Sequence, residues 1–338
     1  MPGFIRWIET PAGRAPVISG HLTFADTLGA WKARWGIGRM AYIVPPGLYA
    51  VGSPAAHSPV LVTCNYKMTY DILRKALNGR SLWILVLETY GINVWCAAGK
   101  GTFGTGELVR RIADTNLAQI VSHRRLILPL LGAVGVKAVE VARRSGFNVQ
   151  FGCIFADHLP DFLDNGMNVT PDMRELNFSL KDRLALVPIE LVIGLKSLPV
   201  VGFTSGLAGA FSRGSFSLQG GFTFFLYAFI GIITGTVVVP LLLPWLPSRS
   251  FAVKGALTGL LVAGALLMAQ SGSLLWYEAA ALMLLMTSIS SFFALNFTGS
   301  TPFTSRSGVK KEMRLSLPAM AAAAIAGFSF LVIGRFAG

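Results

Sequence analysis

Three cysteines (Cys64, Cys96 and Cys153) and four histidines are the strongest soft-metal and proton-handling side chains in this 338-residue sequence. No two cysteines form a Cys-x-x-Cys pair, so neither a zinc site nor an iron–sulfur cluster finds enough ligands. An odd count in a reducing compartment implies free thiols. Gly99, Gly101 and Gly104 spell G-x-G-x-x-G ahead of a helical run. A dinucleotide site needs those glycines directly at a strand end, with an acid about 20 residues further on. Here a stretch of about ten residues intervenes, and the next strand-like run, RRLILPL, is not closed by an acid. A phosphate loop fails as well, because Lys100 is followed by Gly101 and Val94 stands where the leading glycine belongs.

The intervening stretch is Asn93-Val94-Trp95-Cys96-Ala97-Ala98-Gly99-Lys100. Asn caps helix N-termini and Gly ends helices, so the spacing predicts a helix of about one and a half turns. Cys96 falls in its first turn, where the helix dipole and Lys100 are expected to favour thiolate over thiol. Ala97 and Ala98 are expected to keep the surface beside the sulfur low, so that a flat ligand could lie against the helix. Residue types alone leave Cys96 balanced between such a ligand role and an ordinary core thiol. For Cys64 and Cys153 the core reading is preferred.

The elements that must position this helix alternate. PVLVT precedes the amphipathic KMTYDILRKALNG, and SLWILVLET leads into the cysteine helix and TGELVRRIADTNLAQIVSH. RRLILPL precedes VGVKAVEVARRSG, and NVQFGCIFA follows. Continuous apolar strands separated by helices predict an α/β, Rossmann-like fold with a parallel sheet covered on both faces. Ligands of such sheets sit beyond the carboxyl ends of the strands, which places Thr63 and the segment after Thr89 at one rim.

Composition divides the chain. Hydrophobic residues make up 53% and charged residues 13%, against roughly 25% charged in soluble domains. Most of the charge lies before residue 184. Residues 1–180 are expected to form the α/β domain, and 181–338 an all-α membrane domain of about five transmembrane helices. The expected spans are 184–204, 222–243, 255–272, 274–297 and 315–334, each near the ~20 residues that cross a bilayer. The first carries Glu190 and Lys196 and reads as an interfacial helix more readily than as an ion path. Small residues (Gly255, Gly259 and Gly264; Ala319 to Ala324) suit close helix contact. The net charge of +13 goes with topology rather than nucleic acid, since cations flank spans and no basic stripe interleaves with aromatics. Arg249, Lys254, Arg306, Lys310, Lys311 and Arg314 fall in loops on one side, and Arg213 and Glu278 on the other. That bias predicts a multi-pass protein of the inner membrane, with the N-terminal domain in the cytoplasm and the C-terminus outside. The N-terminus has no apolar core of signal-peptide length.

NVWCAAGK closely resembles the cap-helix motif of the mercury-methylation corrinoid protein family (HgcA). WKARWGIGRMAYIVPPGLYAVGSP, SPVLVTCNYKMTYD, GTFGTGELVRRI and HRRLILPLLGAVGVKA look like that family too, as does the apolar tail. The resemblance implies a corrinoid held base-off, with Cys96 as lower axial ligand to cobalt. It implies that Asn93, Val94, Trp95, Ala97, Ala98, Gly99 and Lys100 pack the helix under the corrin and that Thr63 is a pocket threonine. It further implies a two-cluster 4Fe–4S ferredoxin, HgcB, as electron donor, and a folate-type methyl donor. The histidine-ligated signature D-x-H-x-x-G is absent from the sequence. The implied enzyme is a methyltransferase that passes a methyl group from cobalt to mercury(II). Mercury(II) is an electrophile, so the methyl must leave with its bonding electrons, and a donating thiolate opposite favours that. Two rival readings stay open: a corrinoid carrier for another acceptor, and a membrane protein with a nucleotide-binding regulatory domain.

Overall fold

The computed structural model describes residues 1–210, 217–270 and 274–337. It divides into two compact units, Met1–Asn177 and Phe178–Gly338. Arg213 and Gly338, both assigned to the outer side from sequence, lie outside the described residues.

The first unit runs β1 (Phe4–Thr10), β2 (Gly13–Ile18), α1 (Phe24–Arg34), β3 (Gly47–Val51), β4 (Val60–Cys64) and α2 (Lys67–Ala76). It continues with β5 (Leu82–Leu87), α3 (Val94–Lys100), α4 (Thr105–Asp114), α5 (Leu117–Ile120), β6 (Arg125–Leu128), α6 (Ala138–Ser145), β7 (Asn148–Phe151) and α7 (Leu159–Asp164). Its seven strands form one sheet in the order β1-β2-β3-β5-β4-β6-β7.

The sheet is mixed rather than wholly parallel. β5, β4, β6 and β7 are parallel, but β3 runs antiparallel to β5. β2 is parallel to β3, and β1 folds back on β2 as a hairpin. The hairpin has a local cause: only Pro11 and Ala12 separate the two strands, too few residues for a parallel crossover. Its residues were not read as strands in the sequence, since β1 is largely exposed on both faces.

The central strands behave as their apolar runs require. Every residue of β4 and β5 is buried. Val60, Val62 and Cys64 enter one core with Val94, Ala97, Leu108, Leu117 and Val141. Leu61, Ile84 and Val86 enter the other with Tyr70, Leu73 and Phe162. The two-residue alternation therefore packs α3–α6 on one face and α2 and α7 on the other. The long predicted helix after the glycines is broken at Asn116, which is left-handed (φ 46°) between α4 and α5.

The second unit contains α8 (Leu180–Leu195), α9 (Leu198–Ala210), α10 (Leu218–Ile233), a π-helical turn (Thr234–Val238), α11 (Val239–Leu242), α12 (Phe251–Ala269), α13 (Trp276–Asn296) and α14 (Arg306–Ala337). Among the described residues four helices are long and apolar enough to cross a membrane: Leu218–Leu242, Phe251–Ala269, Trp276–Ser300 and Ser307–Gly334. The predicted first span falls on a pair, α8 and α9, bent by 49°, which together is long and apolar enough to make a fifth. The break falls at Lys196–Ser197: Pro199 has no amide hydrogen to carry the α8 ladder on, and Ser197 turns its hydroxyl back to the Gly194 carbonyl (2.6 Å). Glu190 is buried and accepts the Ser300 hydroxyl at 2.6 Å.

Close helix contact holds for some of the small residues. A side chain added at Gly255 would meet Ala294 and Ser290, and one at Gly259 would meet Ser290. Nothing crowds Gly264, and the run Ala319 to Ala324 is mostly exposed or half-buried. The contacts on that helix fall to Gly327 and, against the Tyr277 ring, Gly334.

Candidate functional site

The parallel strands β4, β5, β6 and β7 end at one rim. There β4 delivers Thr63 and Cys64, and Asn65 follows them fully buried. Asn65 ties the rim together. Its Oδ1 accepts the Thr89 amide (3.1 Å), the Thr89 hydroxyl (2.9 Å) and the Gly91 amide (3.1 Å), and its Nδ2 donates to Glu88 (2.6 Å). The held loop turns sharply, with Tyr90 and Gly91 both left-handed (φ 56° and 70°). A side chain at Gly91 would run into Ile43 at 2.8 Å. Glu107 of α4 fastens the same loop by accepting the Glu88 amide (2.8 Å). Burial works against its charge, but that bond and Arg111 and Arg110 outweigh burial and hold the carboxyl below its usual range.

That loop delivers α3. Asn93 is the N-cap, its side chain accepting the Cys96 amide at 3.0 Å. The helix ends at Gly101, left-handed with φ 86°, rather than at Gly99, so it is a little longer than the spacing predicts. Val94, Ala97 and Ala98 are buried and form the inner face of α3. Gly135 backs that face, since a side chain there would collide with Phe103 and stand 3.0 Å from Ala98.

Two expectations are corrected here. Ala97 and Ala98 do not pave the surface beside the sulfur: they are 0% and 4% exposed and anchor the helix to the core. Helical periodicity puts residues three and four apart on one face, so the neighbours of Cys96 within α3 and its cap are Asn93, Gly99 and Lys100. Gly99 is exposed with open space where a side chain would be, and it is the low ground beside the sulfur. Nor is the thiolate favoured in the free protein. Burial pushes the half-buried Cys96 thiol above its ordinary value, and Lys100, Arg39 and Asn93 pull it back only in part.

Beneath the N-terminal end of α3 lies a cavity of about 270 Å³. Thr63, Asn93, Val94 and Trp95 line it, together with Pro129 and the segment Cys153–Ala156. Its walls are mostly apolar. Of the sequence-predicted residues, Thr63, Asn93, Val94 and Trp95 therefore meet at the cavity. Cys96, Gly99 and Lys100 lie on the outer part of the helix, and Ala97 and Ala98 lie behind it.

Sequence reasoning missed three contributors. Pro129 and the Cys153–Ala156 segment follow β6 and β7, so the carboxyl-end rule that located Thr63 would have located them. Cys153 is not merely core: it lines the cavity, and burial raises its thiol to about 11. Arg39 acts on Cys96 through its charge and stands over the Tyr66 ring at 5.7 Å. No motif marked it. Cys64 is fully buried, as expected of a core thiol.

Residues 38–152, which include α3 and the cavity residues Thr63, Asn93, Val94, Trp95 and Pro129 but stop short of Cys153–Ala156, match the family described as the CO dehydrogenase/acetyl-CoA synthase delta subunit. Among curated proteins, the acetyl-CoA decarbonylase/synthase complex subunit gamma of Methanopyrus kandleri is 36% identical over 124 residues, 36% of this chain and 26% of that protein. The gamma subunit of Methanocaldococcus jannaschii is 30% identical over 142 residues, 41% of this chain and 29% of that protein. In Archaeoglobus fulgidus the gamma subunit shares 30% over 123 residues. The chain spans between a quarter and a third of the length of these relatives.

Proposed function

We propose that this chain is a membrane-held corrinoid methyltransferase, in which Cys96 is the lower axial ligand to cobalt and mercury(II) accepts the methyl group. Methyl carriage on a corrinoid is the coarser part of the reading, and the matches to acetyl-CoA synthase and decarbonylase subunits support it. The finer part rests on the resemblance of NVWCAAGK to the mercury-methylation cap helix. One observation carries it: a capped two-turn helix at the sheet rim presents a half-exposed cysteine beside a bare glycine.

The residues present fit such a cofactor. A lone soft sulfur donor suits cobalt, and the mostly apolar cavity suits part of a macrocycle or its displaced tail. Thr63, Asn93 and Trp95 would hold the group from the cavity side, with Gly99 leaving room against the helix. When bound, a corrinoid supplies a metal centre that takes up and gives off a methyl group. Asn93 fixes the first turn through the Cys96 amide, which sets where the sulfur points. Lys100 and Arg39 offset part of the negative charge that Cys96 carries once it ligates. Because a ligating thiol must lose its proton, and burial holds that proton on, binding releases it. The same reading makes residues 1–180 a cytoplasmic domain, with HgcB as electron donor and a folate-type compound as methyl donor.

The test is reconstitution of the full-length protein with a corrinoid under reducing conditions. Wild type should give a base-off, sulfur-ligated spectrum that grows as pH rises toward the thiol range, about 8.5 and above. Cys96→Ala should lose that spectrum and all methylmercury formation while keeping its fold, because Ala suits a helix. Cys64→Ala should keep both. Wild-type methylation by Cys96→Ala would refute thiolate ligation. Corrinoid binding without methylation of mercury(II) would leave the carrier and remove the acceptor.

A further inference from the structure

The second unit buries two cations without giving them a counter-charge. Arg183, in the first turn of α8, is 4% exposed, and Lys254, in the first turn of α12, is 8% exposed. Arg183 donates from Nε to the Ser179 carbonyl (3.3 Å) and from Nη1 to the carbonyls of Pro240 and Leu241. Lys254 donates to the Leu243 carbonyl. The Pro240, Leu241 and Leu243 oxygens close the α10–α11 run, and a helix C-terminus offsets positive charge only in part. Among the described residues neither cation has a carboxylate within ion-pair distance. The Arg183 guanidinium also stands over the Trp245 ring at 5.6 Å, a partner that carries no negative charge, and Lys254 makes no side-chain hydrogen bond there besides the one to Leu243. The carboxylate that does meet the start of α12, Glu312, is occupied by the Ser250 hydroxyl and the Ala252 amide, both at 2.8 Å.

Both cations line one cavity of about 470 Å³, lying wholly within this unit. Arg249 stands exposed among its lining residues, with Ser248 and Thr304 as further polar groups. Phe178, Phe251 and Phe303 supply apolar walls. Buried ions destabilise a fold unless something of opposite charge meets them. A guanidinium fork, an ammonium and a second guanidinium around one space match a tetrahedral, multiply accepting anion.

We infer that this cavity binds a phosphate group, and that its source is the headgroup of an anionic phospholipid. The lipid source follows from position. Ser248, Arg249, Phe251 and Lys254 put the cavity at the start of the apolar helix α12, and its aromatic walls suit the glycerol and upper acyl region while the cations take the phosphate. Basic pockets at the ends of membrane helices recognise lipid headgroups by this arrangement. The site is separate from Cys96 and does not depend on the methyl-transfer reading.

The experiment uses the full-length protein in a neutral detergent. Phosphatidylglycerol, phosphatidylcholine or inorganic phosphate is added, and melting temperature and lipid retained in native mass spectrometry are read. Phosphatidylglycerol should raise the melting temperature by several degrees and be retained severalfold over phosphatidylcholine. Arg249→Gln, at an exposed position, should melt like wild type without lipid yet lose at least half of that shift. Lys254→Gln should lose most of it. Inorganic phosphate alone producing the full shift would keep the anion site and overturn the lipid source. Equal responses to the two lipids, or undiminished shifts in both variants, would overturn the site itself.

Discussion

Arg74 and Arg183 are both buried arginines, one in each unit, and they are treated in opposite ways. Arg74 is fully buried on α2 and meets two carboxylates, Asp26 at 2.7 Å and Asp71 at 2.8 Å. It also donates to the carbonyls of Ser19 (2.7 Å) and His21 (2.9 Å). Lys67 closes the group by pairing with Asp26 (2.6 Å) and Asp71 (2.5 Å). Two cations and two carboxylates thus cancel, and the network pins α1 against α2 beside the rim. Arg183 has main-chain carbonyls in place of carboxylates. Composition shows the same residue type at both places. Only the partners reveal that one charge is settled inside the chain and the other is left for something outside it.

The largest expected effect is at the settled site. Arg74→Met should leave two carboxylates facing a single lysine and lower stability by about 3–5 kcal/mol, as breaking buried pairs does. Denaturant midpoints of the N-terminal unit would read this. A loss below 1 kcal/mol would mean that the network is looser than its geometry. Acid should undo part of the same closure. Burial alone would raise the Asp26 carboxyl, but bonds from Lys67, Thr23 and Arg74 outweigh it and hold it well below the carboxylate range. A depressed folded value stabilises above the unfolded value, ~3.9, and that contribution fades as pH falls below it. Near-ultraviolet dichroism from pH 5 to 2 should therefore show wild type losing packing below about 4, and Arg74→Met showing a smaller change.

A neutral closure at the rim ranks next. Asn65→Ala strands the amides of Thr89 and Gly91 and should destabilise by about 1–3 kcal/mol, the penalty for unsatisfied buried groups. Hydrogen exchange at those two amides should accelerate, and corrinoid loading should fall because α3 hangs from that loop. Unchanged exchange would show that Glu107 holds the loop alone. The smallest effect belongs to the second unit. The Ser290 hydroxyl, fully buried, donates across helices to the Gly255 carbonyl at 2.8 Å. Bonds of this kind between membrane helices average about 0.6 kcal/mol, so Ser290→Ala should barely move the melting temperature. A large loss would mean that polar contacts in this unit carry more than its close glycine packing.

The same contrast marks what could be read from residues alone. Local signals were legible because they are short-range. Asn93 caps, Cys96 falls in the first turn, and the apolar runs of β4 and β5 become buried strands. The role of Ala97 and Ala98 was inverted, because their small size suits a ligand face and a core face equally. Which face they take depends on Gly135, far along the chain. The mixed sheet was missed because β1 carries little burial signal and the buried run of β2 is only four residues long, and pairing direction is set by connections rather than by strand composition. The bend between α8 and α9 was hidden inside one hydrophobic stretch, since hydropathy averages over the Lys196-Ser197 break. Arg39 was illegible for another reason: an electrostatic partner needs no motif.

The π turn at Thr234–Val238 sets the phase of the helix that carries it. Such a turn winds one residue more than α-helical geometry would use over the same stretch. Tyr227, ahead of it, and Val239, after it, are both buried at angles fixed by that extra residue. Removing one residue inside 234–238 would restore ordinary winding and leave both faces where they are. Removing one anywhere else in Leu218–Leu242 would rotate everything downstream by about 100° and swing half the helix away from its neighbours. The span is therefore length-tolerant at a single turn, and a relative shorter by one residue should show its gap there.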